Sequence, residues 1–314
     1  MPTTAALEIV DVRKRFGTLD AVASLSVQVP AGSVFGLLGP NGSGKTTTIR
    51  MIMDIIAPDS GEIRFQGRRR RPDDLDRIGY LPEERGLYRR MTPIDQLVFL
   101  GELHGMPAAD ARQRAEEWLE RVGLADRARR RIEELSKGMQ QKIQLVGTLL
   151  HEPELIILDE PFSGLDPINQ SLFKETLAEH KAKGKSILFS THILEQAEKL
   201  CDHICLIAGG RAILTGSLTE IKRRYGGNTY RLTVRDDTAT VPEVEGVVSL
   251  LRFDDHLRLE LADHADPVEV LRRLVGELDV RSFRSEEPDL EEIFVRAVRE
   301  AGSEVEVEPH ELRA

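Results

Sequence analysis

Cysteine, tryptophan and long apolar runs are scarce in this chain of 314 residues, which has two cysteines and one tryptophan. Two cysteines exclude a disulfide framework, so we expect Cys201 and Cys205 to be reduced thiols in the core. The longest unbroken apolar runs, such as residues 155–158, fall far short of the roughly 18–20 residues that a membrane-spanning helix needs. We therefore expect that the chain does not cross a bilayer by itself.

A secretion signal and a positive net charge are also missing. Residues 1–17 hold no basic region followed by an apolar stretch, so we expect a cytoplasmic chain. The net charge of −10 argues against a general nucleic-acid binder, and we expect no nucleic-acid partner. With 40% apolar and 31% charged residues, the composition is that of a globular protein with a sizeable core.

Charge is distributed unevenly along the chain and predicts two domains. Residues 226–314 contain 22 acidic residues, 11 arginines and no lysine, a net charge of −11 that leaves about +1 for residues 1–225. The change falls at the basic, glycine-containing stretch 222–227. We predict a first domain over residues 1–225, a small α+β domain over residues 226–300, and an acidic tail over residues 301–314.

The first domain is predicted to be α/β. Short apolar runs at residues 33–38, 155–158, 186–190 and 204–208 have the length of buried strands and alternate with helical stretches. Such alternation is typical of a mainly parallel sheet covered by helices, and a ligand binds such a sheet at the carboxyl ends of its strands. Residues 92–150 are predicted to be mainly helical.

The segment 39–46 reads Gly-Pro-Asn-Gly-Ser-Gly-Lys-Thr and fits the phosphate-loop pattern G-x-x-x-x-G-K-[ST]. The glycines let backbone N–H groups turn toward one point, where the N-terminus of the next helix adds partial positive charge. Lys45 is expected to reach the β- and γ-phosphates, and the Thr46 hydroxyl to ligate Mg²⁺. The alternative, a glycine-rich turn with a chance lysine, is disfavoured by the strand before the motif and the helix after it. The residues expected to bind nucleotide here are Gly39, Pro40, Asn41, Gly42, Ser43, Gly44, Lys45, Thr46 and Thr47.

The apolar run 155–158 ends in two carboxylates, Asp159 and Glu160. A buried strand would deliver both to the sheet edge beside the phosphate loop. Asp159 suits the coordination shell of Mg²⁺, and Glu160 suits polarising the attacking water. Taken alone, the pair could equally be an ordinary strand end with solvated acids; the upstream phosphate loop disfavours that alternative.

With these motifs in place, residues 5–225 resemble an ATP-binding cassette (ABC) subunit. Residues 135–140, Leu-Ser-Lys-Gly-Met-Gln, resemble the family's signature LSGGQ, from which Lys137 and Met139 depart. The resemblance implies that Ser136 and Gly138 contact the γ-phosphate of ATP held by a second subunit. A plain helix cap at Ser136 is compatible with that role.

The resemblance extends to three further positions. Ser163 and Asp166 belong to a segment that resembles the loop coupling the two nucleotide sites. His192 resembles the switch histidine that contacts the γ-phosphate, and it joins Lys45 and Glu160 as the expected catalytic residues. Phe16 stands where the family places an aromatic ring that stacks on adenine, and a core phenylalanine is the competing interpretation.

Glu83 departs from the family pattern, because the usual residue after Gly-Tyr-x-Pro is a glutamine that touches Mg²⁺ and the membrane partner. A carboxylate can still ligate Mg²⁺, so the expected metal ligands are Thr46, Glu83 and Asp159. The surrounding sequence GYLPEERGLY resembles the exporter branch likened to sodium or drug efflux. Residues 288–294, Pro-Asp-Leu-Glu-Glu-Ile-Phe, resemble the C-terminal extension of that branch.

Four consecutive arginines at positions 68–71 allow two interpretations. They could form a patch for nucleic acid or lipid headgroups. Because Asp73 and Asp74 follow closely, we favour a solvated loop with neutralising acids.

The resemblance implies a P-loop cassette with a mainly parallel core sheet, an antiparallel β subdomain and a helical subdomain. It also implies an Mg²⁺-dependent ATPase that lies on the cytoplasmic face of the membrane and powers a separate integral membrane permease, as an exporter. Two copies would form a homodimer around ATP.

Two other functions stay open. A soluble ABC ATPase acting on ribosomes or DNA is disfavoured by the single phosphate loop and the lack of sustained heptads. A nucleotide-binding regulator without turnover is disfavoured by the intact Asp159-Glu160 pair.

Overall fold

A computed structural model of the chain describes residues 5–84, 86–226, 228–235, 242–253, 255–262 and 264–302. Contacts divide these residues into two compact units, the first with residues 5–216 and 297–302 and the second with residues 217–296. From position 303 onward, the acidic tail expected over residues 301–314 lies outside the described residues.

The first unit is built on a ten-stranded sheet with the order β5-β4-β1-β2-β10-β9-β3-β8-β7-β6. Neighbours among β9, β3, β8, β7 and β6 are parallel, whereas β1 pairs antiparallel with β2 and β4. The predicted α/β class, with a mainly parallel core sheet and an antiparallel part, is confirmed. The strands are β1 (Ala5–Phe16), β2 (Leu19–Pro30), β3 (Val34–Leu38), β4 (Ser60–Phe65), β5 (Arg68–Arg69), β6 (Ile78–Leu81), β7 (Leu155–Asp159), β8 (Ser186–Thr191), β9 (His203–Ala208) and β10 (Arg211–Ser217).

Every residue of β3, β7 and β8 is buried, and residues of these strands such as Phe35, Ile157 and Leu188 share a core with residues of α1 and of the antiparallel strands β1, β2 and β4. The register pairs Leu38 with Thr191 and Asp159 with Ser190. The three strands therefore end together at one sheet edge. That edge brings the loop after β3, the carboxylates at the end of β7 and the residues after β8 side by side.

The helices of the first unit are α1 (Lys45–Ile52), α2 (Pro93–Leu103), α3 (Ala108–Arg121), α4 (Lys137–Leu149), α5 (Pro167–Ala182) and α6 (Leu194–Leu200). Thr92 caps α2, since its side chain accepts a hydrogen bond from the Asp95 N–H. Helices α2, α3 and α4 share a core of their own, which includes Leu97, Leu119 and Ile143. In the described part of the chain, no helix is long and apolar enough to span a bilayer.

The two cysteines are free and buried. Burial raises the pKa of both thiols, that of Cys205 to about 12. Because the thiolate is the reactive form, these side chains act as small core residues. The expectation of reduced core thiols is confirmed.

The arginine run 68–71 lies on β5 and the two residues after it, and two of its four arginines pair with acids. Arg68 donates two hydrogen bonds to Asp74, and Arg70 lies 2.6 Å from the Asp54 carboxylate. Pairing with the downstream Asp74 agrees with the favoured interpretation, a loop with neutralising acids.

The second unit contains a four-stranded antiparallel sheet with the order β12-β13-β11-β14. Strands β12 and β13 pair antiparallel as neighbours in the chain. One face of the sheet packs on α8 through apolar residues that include Leu232, Leu259 and Leu274. The elements of the second unit are α7 (Leu218–Tyr225), β11 (Thr229–Val234), β12 (Val247–Arg252), β13 (Leu257–Leu261), α8 (Pro267–Glu277), β14 (Val280–Ser285) and most of α9 (Leu290–Glu300).

Helix α7 belongs to the second unit, ahead of the boundary expected near residue 225. Arg296 Nη1 donates to the Tyr225 carbonyl at 2.9 Å, and Lys222 Nζ lies 3.8 Å from Glu287. These contacts explain why the basic stretch that marks the change in charge lies inside the second unit and not at its edge.

Two histidines stack on each other in the first unit. His104 follows α2 and His151 follows α4, with ring centroids 3.7 Å apart and planes within 4°. Burial lowers the pKa of both, that of His151 to about 4. The charge of His104 and of Lys185 lowers the pKa of His151 further, whereas Asp76 opposes the shift at His104. The folded chain therefore holds two neutral rings at neutral pH.

We expect the thermal stability of the first unit to fall as the pH is lowered from 7 to 5. Unfolded His151 takes up a proton near pH 6.5, whereas folded His151 stays neutral until about pH 4, so acid favours the unfolded chain. The stabilisation is complete above pH 6.5 and falls by about 2 kcal/mol at pH 5. Circular dichroism melts measure the change. His151→Gln should flatten this dependence and the exposed His264→Gln should not; equal slopes in wild type and His151→Gln would contradict the assignment.

Candidate active site

The loop between β3 and α1 packs so closely on its neighbours that two of its positions require glycine. Gly39 has φ +153°, and a Cβ there would lie 2.2 Å from the Ile207 carbonyl oxygen. Gly44 has φ +107°, and a Cβ there would lie 2.5 Å from the Ala21 carbonyl oxygen. The spacing of the motif therefore reflects contact with β9 and β2 as well as a need for free backbone N–H groups.

Lys45 is the first residue of α1, and 5% of it is exposed. Its ammonium donates to the carbonyls of Gly39 at 2.8 Å and Pro40 at 3.1 Å, and lies 3.6 Å from Glu160 Oε1. Burial lowers the pKa of Lys45, while the charges of Glu160 and Asp159 oppose that shift. The loop thus holds a cation at the sheet edge, beside two carboxylates.

Asp159 ends β7 and lies beside the phosphate loop. Its Oδ1 accepts hydrogen bonds from the Thr46 hydroxyl at 3.3 Å and the Ser190 hydroxyl at 2.5 Å. Its Oδ2 is buried and has no hydrogen-bond partner in the described part of the chain. An unpartnered carboxylate oxygen next to a hydroxyl is a donor set that fits Mg²⁺.

The described residues contain no group of three or more His, Cys, Asp or Glu side chains that could hold a metal unaided. Mg²⁺ commonly binds through one or two protein ligands together with phosphate oxygens and water. Thr46 and Asp159 therefore fit Mg²⁺ that arrives with a nucleotide.

Glu160 is held in an unusual backbone conformation, with φ +49°. Its N–H contacts the Ser190 carbonyl at 3.2 Å and the Ser190 hydroxyl at 3.1 Å, which offsets the cost of this left-handed geometry. Oε2 lies 3.1 Å from Nδ1 of His192. Oε1 is buried and lacks a hydrogen-bond partner among the residues described. The carboxylate is thus oriented by a histidine and keeps one oxygen available to accept a proton.

Ser190 is a site residue that the sequence reasoning missed. It is fully buried in β8, and its hydroxyl contacts both Asp159 and the Glu160 backbone. A serine inside an apolar strand, two residues before His192, was the signal that could have identified it.

A cavity of about 460 Å³ lies beside the two carboxylates. Glu83 lines it and also raises the pKa of Lys45 through its charge, so it lies near the phosphate loop as expected. Burial, with Asp159 adding to it, raises the pKa of Tyr80 to about 12, so this phenol stays neutral. The cavity is also lined by three side chains of α4: Lys137, at which the sequence departs from the family signature, and Gln141 and Gln144, which the sequence did not single out.

Ser136 and Gly138 begin α4 beside the start of α5. The Ser136 hydroxyl accepts from the Met139 N–H at 3.3 Å, so the expected helix cap is present. A Cβ on Gly138 would lie 2.7 Å from Asn169 Nδ2, so the two helix starts touch. Asp166 caps α5 by accepting from the Ile168 and Asn169 N–H groups, each at 3.0 Å.

Ser163 joins this cluster because its carbonyl accepts from Gln141 Nε2 at 3.0 Å. Among the described residues, the hydrogen bonds of Ser136 and Asp166 stay within the first turns of their own helices. The expected nucleotide ligands therefore lie on two parts of the chain, the phosphate loop with its carboxylates and the starts of α4 and α5, and Ser163 lines the same cavity as Asp159 and Glu160.

Phe16 ends β1 with 49% of its surface exposed. Lys14 Nζ lies 5.5 Å from the ring centroid. The competing interpretation of Phe16 as a core residue is therefore wrong. An exposed ring is free to stack on a planar ligand, and its contact with adenine stays a prediction.

A phosphate loop, a strand-end carboxylate pair and a histidine on a mainly parallel sheet define a P-loop nucleotide-binding protein. Residues 22–163 match the family described as ABC transporter, and residues 216–298 match the ATP-binding protein DrrA1-3-like C-terminal domain. The uncharacterized ABC transporter ATP-binding protein YhaQ of Bacillus subtilis (strain 168) is 43% identical over 292 residues, covering 93% of this chain and 98% of YhaQ. The chain belongs to the ATP-binding proteins of ABC transporters.

Other similar proteins include transport proteins with more specific names. The linearmycin resistance ATP-binding protein LnrL of Bacillus subtilis (strain 168) is 34% identical and covers 92% of this chain and 97% of its own length. The Nod factor export ATP-binding protein I of Paraburkholderia xenovorans (strain LB400) is 36% identical over 93% of this chain and 96% of its own length. A solved structure titled "Structure of ATP binding subunit of ABC transporter" has a TM-score of 0.66 at 35% identity, over 70% of this chain and 93% of that one. The resemblance read from the sequence, including the C-terminal extension, is confirmed.

Proposed function

We propose that this chain is an Mg²⁺-dependent ATPase that works as a pair and powers a separate membrane permease. The observation that carries the proposal is the convergence of Lys45, Asp159, Glu160 and His192 at one sheet edge. Asp159 Oδ2 and Glu160 Oε1 are buried there without hydrogen-bond partners in the described structure. Unmet hydrogen-bonding capacity of this kind is expected where a ligand and a reacting water bind.

Each side chain has a role that follows from its contacts. Glu160 accepts the proton of the attacking water through Oε1, while His192 holds Oε2 and fixes the orientation of the carboxylate. Lys45 stabilises the negative charge that spreads over the transferred phosphoryl group. Thr46, Asp159 and Glu83 would hold Mg²⁺, which supplies charge neutralisation on the phosphates. Phe16 would stack on the adenine ring.

A second copy enters the proposal through the family resemblance, which assigns the start of α4 to the nucleotide site of a partner subunit. The resemblance to the ABC family implies that Ser136 and Gly138 complete the nucleotide site of a partner subunit. It also implies that Ser163 and Asp166 couple the two nucleotide sites. A complete site would then combine the phosphate loop of one chain with the α4 start of the other. Closure around ATP and release after hydrolysis make the dimer a switch that depends on the γ-phosphate.

The names of the relatives support a partner and a location. Relatives of this chain carry names for export and drug resistance, which supports an export permease as the partner. A chain with this partner lies on the cytoplasmic face of the membrane.

The test is the dependence of ATP turnover on the concentration of the purified chain. If complete sites form between two chains, turnover per chain rises with concentration until dimers predominate, and light scattering shows self-association with ATP. Turnover per chain that is constant across concentrations, in a chain that stays monomeric even with its membrane partner present, would overturn the proposal.

A further inference from the structure

A cavity of about 470 Å³ lies between α3 and the ends of α4 and α5, and no residue with a role in the proposed function lines it. Its volume falls within the roughly 300–1,000 Å³ of sites that bind small molecules. Ser136 and Asp166, which are expected to meet nucleotide, cap the opposite ends of α4 and α5. We call this second site the α3 cavity, because α3 forms one of its walls.

Polar contacts hold the walls of the α3 cavity together. Arg114 of α3 donates to the Leu150 carbonyl at the end of α4, at 3.3 Å. Arg121, one helical turn and a half further along α3, lies 2.6 Å from the Glu179 carboxylate of α5. The cavity is therefore preformed in the chain, as is usual for sites that bind small ligands.

Two aromatic side chains line the α3 cavity and keep polar atoms unpaired. The rings of Trp118 and His180 are nearly parallel, with centroids 6.2 Å apart and planes within 20°. His180 is only 4% exposed, and its Nδ1 lies 2.8 Å from the Thr176 carbonyl. Within the described residues, His180 Nε2 and the indole N–H of Trp118 have no hydrogen-bond partner. A buried ring with an unpaired nitrogen that lines a cavity indicates a ligand that would pair with it.

The His180 ring is neutral at neutral pH and accepts a hydrogen bond at Nε2. Burial lowers the pKa of His180, the hydrogen bond with Thr176 opposes that shift, and the charges of Lys183 and Arg121 lower the pKa further. Because the Thr176 carbonyl can only accept, Nδ1 carries the proton and Nε2 keeps a lone pair. The matching group on a ligand is a hydroxyl or an N–H.

The lining of the α3 cavity is cationic. Arg114 lies 3.4 Å from Glu152, so both arginines of the lining pair with acids. Lys183 makes no hydrogen bond or ion pair in the described part of the chain, and Lys185 donates to the Glu152 carbonyl at 2.9 Å. The two lysines are therefore available to an anion. Four cations against two acids leave a charge of +2 on the lining: Arg114, Arg121, Lys183 and Lys185 against Glu117 and Glu152.

We propose that the α3 cavity binds a planar organic acid that also carries a hydroxyl or N–H donor. The acid group lies at Lys183 and Lys185, the donor meets Nε2 of His180, and the planar body packs against Trp118. A phenolic carboxylate is the simplest compound of this class. Bound in this way, it connects α3 with the end of α5.

The test uses the fluorescence of Trp118, which is the single tryptophan of the chain and so reports on this cavity directly. Titration of the purified full chain with 4-hydroxybenzoate should quench the fluorescence to saturation and raise the melting temperature. Benzoate, which lacks the hydroxyl, should bind about 10-fold more weakly. Saturating ATP should not displace 4-hydroxybenzoate, because the nucleotide site lies at the other ends of α4 and α5.

Two variants separate the donor from the acid group. His180→Phe keeps a planar ring without the acceptor, so the preference for 4-hydroxybenzoate over benzoate should disappear. Lys183→Gln, at an exposed position, should weaken the binding of both acids alike, by about 10-fold. Lys199→Gln is the matched control, since Lys199 lies on α6 outside the cavity, and both affinities should stay as in wild type.

Four results would each overturn the proposal. These are quenching that does not saturate, displacement of 4-hydroxybenzoate by ATP, an equal loss of binding in Lys199→Gln, and competition by inorganic phosphate as effective as that by benzoate, which would indicate a site for simple anions. A preference for 4-hydroxybenzoate that survives in folded His180→Phe would overturn the role of the donor. If His180→Phe does not fold, unchanged binding in Lys183→Gln still contradicts the proposal.

Discussion

Glu160→Gln should lower ATP turnover by about 100-fold or more while ATP still binds. The amide keeps the size of the side chain and can still contact His192, but it cannot take a proton from the attacking water. Lys45 keeps its hydrogen bonds to the Gly39 and Pro40 carbonyls, so the loop should stay intact. Phosphate release measures turnover, and light scattering with ATP should show dimers that persist because hydrolysis no longer separates them.

Glu84→Gln is the matched control for this variant. Glu84 lines the same cavity as Glu160, so the substitution also removes one negative charge from the lining of that cavity. Among the described residues, Glu84 has no contact with Lys45 or His192. Its turnover should stay within about twofold of wild type. Full turnover in Glu160→Gln would exclude Glu160 as the base, and an equal loss in Glu84→Gln would assign the effect to the charge of the cavity.

Lys45→Met should weaken ATP binding by about 10- to 100-fold, because it removes a charge-assisted hydrogen bond to phosphate. Methionine also leaves Asp159 and Glu160 close together without the ammonium that lies 3.6 Å from Glu160. We therefore expect the nucleotide-free variant to melt at a lower temperature than wild type. Titration with a fluorescent ATP analogue measures binding, and circular dichroism measures melting.

Lys142→Met is the matched control, because it also removes a lysine whose ammonium donates a hydrogen bond to a backbone carbonyl. Lys142 Nζ donates to the Val122 carbonyl at 3.1 Å, away from the phosphate loop, so ATP affinity should be unchanged. If Lys45→Met bound ATP as tightly as wild type, the lysine would have no part in holding the phosphates.

Much of the site could be predicted because its motifs are local. The spacing of Gly39, Gly44 and Lys45 is set by one loop and one helix start, and Asp159 and Glu160 follow one apolar strand. Ser190 was missed because its contact with Asp159 spans 31 residues and depends on the register of β7 and β8.

The difference between local motifs, which could be predicted, and long-range contacts, which could not, also holds outside the site. The sequence around Phe16 is the same whether its ring is exposed or buried in the core. Only the packing around the end of β1 decides between these two interpretations. Charge counting located the change in composition near residue 225, whereas the contacts of Tyr225 and Lys222 group α7 with the second unit.

The sequence by itself determined the α/β class, the phosphate loop and the carboxylate pair, because each depends on residue types at short, fixed spacing. The tertiary structure decided which distant residues meet: Ser190 with Asp159, Gly138 with Asn169, and Ile132 with Met91. These contacts depend on strand register and helix packing, which are cooperative properties of the whole fold and leave no periodic trace in a short stretch of chain.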